Sequence, residues 1–440
     1  MRKLLVLLCV LSLALLVTAC AEEVQQPESV PTSDSSQTAD SQEEETPADP
    51  TASVEQTTIR FSLWNAAMDE NADFIVAFHE ANPDIKIEMI TIPEDYSAVV
   101  NTMVIGGTAA DVILTWEVDM PRFAHMGAIL PLDDFVANSD LGDLDDFIPA
   151  VANIIEMTDG LYGLPWVYAG HFLFYNKDMF DASDVAYPTA DWTWDDLLEA
   201  AQALTIREGA NVTQWGISPI DAPHIWFSLA GQAGDSVVDG DLNLALGNGL
   251  RRALQFQYDL TNVYEVSPQP EVGVVLDLFT AEMAAMTRAG NWFIRGYRDV
   301  PFNWDIAPLP RDVRTHTGLH TGFFTINNQT AHPEEAWRFI EFMMSYEGQT
   351  LLSGWTANPS SIMSIAEEGA FKVQGEHGPS NWEAFDYLRD YGAFTSTLLN
   401  PTVTGDLVGQ FNSVILGLTS IDDVINTAVP NAQALLEQLQ

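Results

Sequence analysis

The chain has 440 residues, 47% of them hydrophobic, and a formal net charge of −46 from 63 acidic and 17 basic side chains. That balance excludes nucleic-acid binding, which needs a basic footprint to displace counterions, and it disfavours a body lying flat on anionic lipid. The two cysteines are Cys9 and Cys20, so a body folded from later residues has no disulfide and no thiolate for zinc or iron. It must hold together by an apolar core, which this length supplies as two or three domains.

Met1-Arg2-Lys3 precedes an apolar run over 4–17, followed by Thr18-Ala19-Cys20. Two cations, a short apolar stretch and small residues before a cleavage point read as a secretory signal peptide over 1–19. The run is short for a bilayer span, which takes about 20 residues. A cysteine directly after the small pair resembles a bacterial lipobox. That implies cleavage between Ala19 and Cys20 and a lipid anchor on the Cys20 thiol, where two or three acyl chains suffice for stable attachment. The competing reading is an ordinary signal peptide with an incidental cysteine. Residues 20–56 are rich in Ser, Thr, Pro, Gln, Glu and Asp and lack Lys and Arg, which predicts a disordered acidic linker holding the body off the membrane.

Order is expected from Thr57. Residues 59–64 alternate like a half-buried strand, 71–82 place Phe74, Ile75, Ala77, Phe78 and Ala81 at helical spacing before Asn82-Pro83, and 85–90 alternate again. A helix over 96–105 ends at Gly106-Gly107, and 111–115 is a buried strand. This βαβαβ order implies a parallel sheet with ligands beyond the carboxyl ends of its strands, which puts Trp64-Asn65 and Trp116-Glu117 on one rim. Further on, Thr193 can cap a helix with Asp195 and Asp196 in its first turn, leaving Trp194 as a core anchor. Pro333 opens another helix, whose Ala336, Phe339, Ile340 and Met343 form a buried stripe.

Six segments then carry a specific likeness. They are Gly127-Ala128-Ile129-Leu130-Pro131-Leu132-Asp133-Asp134-Phe135; Leu161-Tyr162-Gly163-Leu164-Pro165; Phe174-Tyr175-Asn176-Lys177-Asp178-Met179-Phe180; Thr193-Trp194-Asp195-Asp196-Leu197-Leu198; Ala284-Ala285-Met286-Thr287-Arg288-Ala289-Gly290-Asn291-Trp292; and His332-Pro333-Glu334-Glu335-Ala336-Trp337-Arg338-Phe339-Ile340. Each is weak alone. In this order, over about 57–353, they resemble the extracellular solute-binding proteins that feed sugar ABC importers, the family of maltose-binding protein. The resemblance implies an α/β fold of the type II periplasmic-binding-protein kind, with two discontinuous lobes joined by a hinge. It places the N-terminal lobe at 57–167 plus 320–352 and the C-terminal lobe at 168–319 plus 353–440. Crossovers are expected near 165–168, 316–322 and 353–359.

A sugar offers one apolar face and a belt of hydroxyls, so its site needs flat aromatics and planar polar groups. The family meets sugar with a tryptophan and a nearby aspartate at the places that Trp116 and Asp119 occupy, with Glu117 as a further acceptor. It stacks a tryptophan where Trp292 stands, after a glycine that permits close approach. Trp64 and Asn65 lie on the rim used for polar contacts, although Ala67 or Met68 replaces the family's charged residue there. On the run entering the second lobe, Trp166, Tyr168 and His171 are candidates. The family's glutamate contact on this run is Ala169 here, which argues against maltodextrin. Trp226 and Trp355 are read as loop tryptophans at the rim, and Trp192, Trp215, Trp304, Trp337 and Trp382 as structural. Arg288, Arg295, Arg298, Arg311 and Arg314 either recognise a carboxylate or sulfate on an acidic sugar or neutralise surface acid, and the second reading is preferred.

Other chemistries leave no mark. No nucleophile elbow, P-loop, dinucleotide fingerprint or HExxH spacing is present, and the acid-rich run 140–146 lacks the ligand pattern of a calcium loop. The expectation is a non-enzymatic, extracytoplasmic, lipid-anchored receptor, a monomer without cofactor or metal. It would capture a carbohydrate and deliver it to ABC permease subunits. Alternatives are a receptor for another solute, such as an acidic oligosaccharide or polyol phosphate, a secreted glycan-degrading enzyme, and a surface sensor.

Overall fold

The computed structural model describes residues 56–439 apart from 65–69, 94, 140, 142–145, 221–222, 240–242, 271–276, 374 and 395–400. The signal peptide, Cys20, the acidic linker through residue 55, Asn65, Ala67, Met68 and most of the run 140–146 lie outside the described residues.

The strands in chain order are β1 (Thr57–Leu63), β2 (Ile85–Thr91), β3 (Val112–Trp116), β4 (Leu164–Asn176), β5 (Ile206–Glu208), β6 (Asn211–Gln214), β7 (Val237–Val238), β8 (Leu244–Ala245), β9 (Met286–Gly290), β10 (Trp304–Pro308), β11 (Thr317–Ile326) and β12 (Gly392–Ala393). β1 pairs in parallel with β2 on one side and with β3 on the other. The connecting helices are Asp73–Ala81 and Tyr96–Ile105, so the βαβαβ unit stands where the alternation and helical spacing predict it. Its core interleaves Phe61, Phe78, Phe324 and Phe339, with the Phe339 ring 5.2 Å from both Phe61 and Phe78. Each such ring removed from water contributes about 1.5–3 kcal/mol.

β4 is the longest strand, and all 13 of its residues are buried. It changes neighbours midway. Leu164 to Gly170 pair antiparallel with β11, whereas His171 to Tyr175 pair with β9 and Phe172 to Asn176 with β10. β11 also runs on from β3, beside Gly322–Ile326, to β12 at Thr317 and Gly318. A strand covered on both faces reads as a near-continuous apolar run, which is why 164–176 shows little alternation.

Behind the second half of β4, Leu173, Tyr175, Leu197, Ala201, Met286 and Leu309 form one core. A further core gathers Trp226, Phe227, Leu250, Leu254, Phe411 and Leu436 from the helices Pro223–Gln232, Asn248–Tyr258, Pro401–Ile415 and Val429–Leu439. The helix Trp194–Leu204 starts with a reciprocal capping box between Thr193 and Asp196. Trp194 stacks on Phe256 at 4.6 Å and donates its indole N–H to Gln232 Oε1 at 2.8 Å, a core anchor as its place after the cap predicts. The helix Pro333–Met344 buries Ala336, Phe339, Ile340 and Met343 as one stripe.

Two expected loops are helices. Trp226 lies within Pro223–Gln232 and Trp355 within Tyr346–Thr356, which Ser345 caps by accepting from the Gly348 amide at 3.1 Å. The latter segment holds two glycines and two threonines, poor helix formers. Packing against the helices Asp73–Ala81 and Pro333–Met344 overrides that preference.

Candidate functional site

β1 and β3 end side by side, and the chain leaves them at Trp64 and Trp116. The two indoles stack face to face, 3.6 Å between centroids and 18° between planes, with Trp64 also edge-on to Tyr96. They wall one side of a cavity of about 840 Å³. Gly322 makes room for them, since a Cβ there would sit 2.6 Å from the Trp64 ring. At 3.6 Å the pair is closed, with no room for a flat molecule between its rings.

Much of the rest of the lining comes from β4, β11 and the turn after β9. Trp292, in the short 3-10 turn Asn291–Phe293, is 40% exposed. Its ring folds back over Gly290, where a Cβ would meet it at 2.2 Å, the close approach that a glycine permits. The adjacent Asn291 is wholly buried. It accepts from the Gly170 amide at 2.8 Å and donates to Asn358 Oδ1, tying the turn to β4 and to the cavity edge. Trp166 reaches the cavity past an irregularity in the β4–β11 register and packs edge-on to Phe74. Trp355 completes the ring of five indoles, with the Arg295 guanidinium 4.1 Å above its face.

The remaining candidates fall elsewhere. Tyr168 lies out of phase with Val167 and Ala169, which line the cavity, and faces a separate hollow with Phe371, Trp382 and Arg389. Successive strand residues point to opposite faces, and the extra residue of β4 between Pro165 and Tyr168 lets Trp166 line the cavity although Tyr168 does not. Trp226 is 1% exposed and packs on Phe411, in the core. Asp119 is consumed internally, accepting from Ser97 Oγ at 2.7 Å and pairing with Arg122 at 2.5 Å. Glu117 is fully buried behind β11, where one carboxyl oxygen accepts from the Thr321 amide at 2.5 Å and the other has no hydrogen-bond partner among the described residues. The arginines disperse. Arg288 is buried and donates to Gln257, Arg314 donates to the Gly231 and Asp235 carbonyls, and Arg295 alone of the five lines the cavity.

Sequence reading missed two lining histidines. His320 on β11 and His224 in the first turn of Pro223–Gln232 stand 4.6 Å apart between ring centroids, and His171 on β4 is 4.9 Å from His320. Trp292 meets both His171 and His320 edge-on. Pairing of β4 with β11 brings His171 to His320, and packing of the helix Pro223–Gln232 against β11 adds His224, so no local motif announces them. They do not form a metal-binding group. Burial drives their affinity for protons down, to about 3 for His171 and about 4 for His224, and His320 well below its ordinary value. They are therefore neutral imidazoles at pH 7, able to donate and accept hydrogen bonds. Burial acts oppositely on Glu117 and pushes its carboxyl up to about 8, so that it is mostly protonated at neutral pH.

These shifts set opposed pH dependences. Below pH 6.5 the unfolded chain takes up protons that the buried imidazoles refuse, so their contribution to stability is lost as pH falls. Between 4.5 and 8 the folded chain keeps a proton on Glu117 that the unfolded chain has released, so this group lowers stability as pH rises. Glu117→Gln, which keeps the acceptor for Thr321, should gain stability relative to the parent between pH 5 and pH 8, by on the order of 1 kcal/mol per pH unit. Urea unfolding at several pH values reads this difference, and parallel curves for the two proteins would contradict it.

Against this geometry, relatives can be compared. The sequence profile of the bacterial extracellular solute-binding proteins matches residues 55–350. An arabinooligosaccharide-binding protein of Halalkalibacterium halodurans is 25% identical over 288 residues, 61% of this chain and 63% of that protein's length. An ABC substrate-binding protein from Listeria monocytogenes, solved in complex with cycloalternan, superimposes with a TM-score of 0.77 at 22% identity, covering 87% of this chain and 99% of the other. A solute-binding protein from Thermotoga lettingae bound with alpha-D-tagatose gives 0.72 at 20% identity, covering 87% and 100%. The fold is thus that of the type II periplasmic binding proteins, with two α/β lobes built from discontinuous segments. With its profile matched over most of the ordered body, the chain belongs to the bacterial extracellular solute-binding protein family, whose members work outside the cytoplasm.

Proposed function

We propose that this protein captures a mono- or oligosaccharide between its lobes and hands it unchanged to the membrane permease of an ABC importer. The observation that carries this reading is the convergence of Trp64, Trp116, Trp166, Trp292 and Trp355 on one cavity, with Thr321, Asn358 and two neutral imidazoles at its edge. Indole faces suit the apolar side of a pyranose, and neutral donors and acceptors suit its hydroxyls. A volume of about 840 Å³ lies within the range of small-molecule sites and leaves room for more than one sugar ring. The names of the relatives support the same class: an arabinooligosaccharide-binding protein, a maltotriose-binding protein of Pyrococcus abyssi, and proteins solved with cycloalternan and tagatose.

In this reading the lobes are 57–167 plus 320–352 and 168–319 plus 353–440. β4 and β11, which each pass from one set of partners to another, form the hinge with the segment through Pro359. Pro359 accepts from the Tyr168 amide at 3.0 Å, and Val167 bridges to Ser360. The ligand binds the closed arrangement better because only there do both walls touch it, and that difference in free energy shifts the population. Nothing in the cycle requires a covalent step. Signal peptidase cuts before Cys20, lipid on that thiol holds the protein to the membrane, and the acidic linker sets its reach. The receptor acts as a monomer.

A thermal-shift panel of mono- and oligosaccharides tests the proposal. A bound sugar at 100 times its dissociation constant adds about 2.7 kcal/mol of stability, a readable rise in melting temperature. Trp116→Ala should abolish the rise. A panel without any responder, or chromatography showing the sugar chemically altered, would contradict the proposal.

A further inference from the structure

We propose that the captured carbohydrate carries a carboxylate, a uronic acid unit, and that Arg295 is the residue that recognises it; this rests on the cavity being a sugar site. Arg295 is the one side chain with a full charge among the described residues lining the cavity, and it is a cation in a chain of net charge −46. Some arginines of this chain are taken up by acids, as Arg122 is by Asp119, Arg252 by Asp312, Arg338 by Asp84, and Arg389 by Asp386 and Asp390, whereas Arg60, Arg298, Arg311 and Arg314 make no ion pair among the described residues and line no part of the cavity. Arg295 has no carboxylate within ion-pair distance among the described residues, although Asp299 and Glu376 line the outer groove that it borders.

The guanidinium is held in place without an acid. One Nη donates to the Trp355 carbonyl at 2.9 Å, and the plane rests on the Trp355 ring at 4.1 Å. Stacking of this kind suits a weakly hydrated planar cation and fixes its orientation. Among the described residues the other nitrogens have no hydrogen-bond acceptor, so they can meet a planar carboxylate with two parallel hydrogen bonds, the geometry in which arginine outperforms lysine. Trp292 stands three residues earlier, so an indole for the ring and a fork for the acid sit one helical turn apart, where a C5-carboxylated pyranose presents both groups.

The rest of the lining does not compete. It carries no carboxylate among the described residues. Behind it, Glu117 keeps its proton at neutral pH because it is buried, and Asp119 is neutralised by Arg122. His224 and His320 present neutral rings that can bond to hydroxyls without repelling or outcompeting the acid. A doubly charged phosphate would want more cations than this one arginine, so the single fork points to a monoanionic carboxylate.

The test is calorimetric titration of the full-length protein with di- and trisaccharides of galacturonate, glucuronate and mannuronate, each beside its carboxyl-reduced neutral counterpart. We expect at least one acidic sugar to bind tenfold or more tightly than its reduced partner. Arg295→Gln should remove that preference, so that the acidic sugar binds no more tightly than its reduced partner to the same variant, and Arg295→Lys should restore only part of it. Thermal unfolding of the unliganded variants checks that each is folded. If reduced or other neutral sugars bind as tightly as the acidic ones, and Arg295→Gln changes neither, the acid assignment is overturned while the sugar-capture reading stands. If no acidic or neutral sugar binds, both readings fall.

Discussion

Replacing Trp292 with alanine should weaken binding of the captured sugar about 30-fold or more and move the melting temperature of the unliganded protein by no more than about 3 °C. The two effects separate because Trp292 is 40% exposed and touches its neighbours mainly edge-on, through His171 and His320. Little core packing is lost with it. In the proposed reading a sugar ring covers its exposed face, and an aromatic anchor in a small-molecule or interface site is commonly worth 2 kcal/mol or more, the equivalent of that 30-fold change. Calorimetric titration gives the affinity and thermal unfolding gives the stability. Unchanged affinity would remove Trp292 from the site.

Trp226→Ala should do the opposite. Trp226 is among the largest fully buried side chains, packed on Phe411 in the helical core, and lines no part of the cavity. Its removal leaves a cavity costing about 3–5 kcal/mol, seen as a marked drop in melting temperature, while sugar affinity in the folded fraction stays within a few-fold. Trp226→Phe should cost less than Trp226→Ala, because it leaves a smaller cavity. The buried indole N–H has no hydrogen-bond acceptor among the described residues, so its loss removes an unsatisfied donor along with some volume. Measuring both replacements separates a structural tryptophan from a ligand platform. A binding defect at Trp226 without a stability defect would place the site in the wrong part of the molecule.

How far the sequence announced this arrangement depended on whether the determining signal is local. The βαβαβ unit was legible because each piece carries its own period, and strand order then put Trp64 and Trp116 on one rim, where they stack. Thr193 and Asp196 announced a cap that forms as a reciprocal pair. Trp166, Trp292 and Trp355 also reach the cavity, although Trp355 does so from a helix that composition disfavours. Side-chain direction was not legible. Glu117 and Asp119 follow within three residues of Trp116, yet the turn after β3 carries Glu117 under β11 and Asp119 onto a helix, where each is bonded inside the protein. Tyr168 lines a separate hollow, and the sequence could not fix its phase because 164–176 is buried on both faces and offers no alternation. His224 and His320 could not be paired in advance, since only tertiary packing of the helix Pro223–Gln232 against β11 brings them together. Arg295 was hidden in plain view, one of five arginines of which only it faces the cavity.

The central claim is that flat indole walls hold a sugar in this cleft. A crystal structure of the protein with a sugar that raises its melting temperature tests that claim most directly. A pyranose ring lying against the face of Trp292 or on the open face of the Trp64–Trp116 pair, within about 4 Å and chemically intact, is the result the account predicts. Sugar bound outside the cavity, with those indoles facing empty solvent, would contradict it.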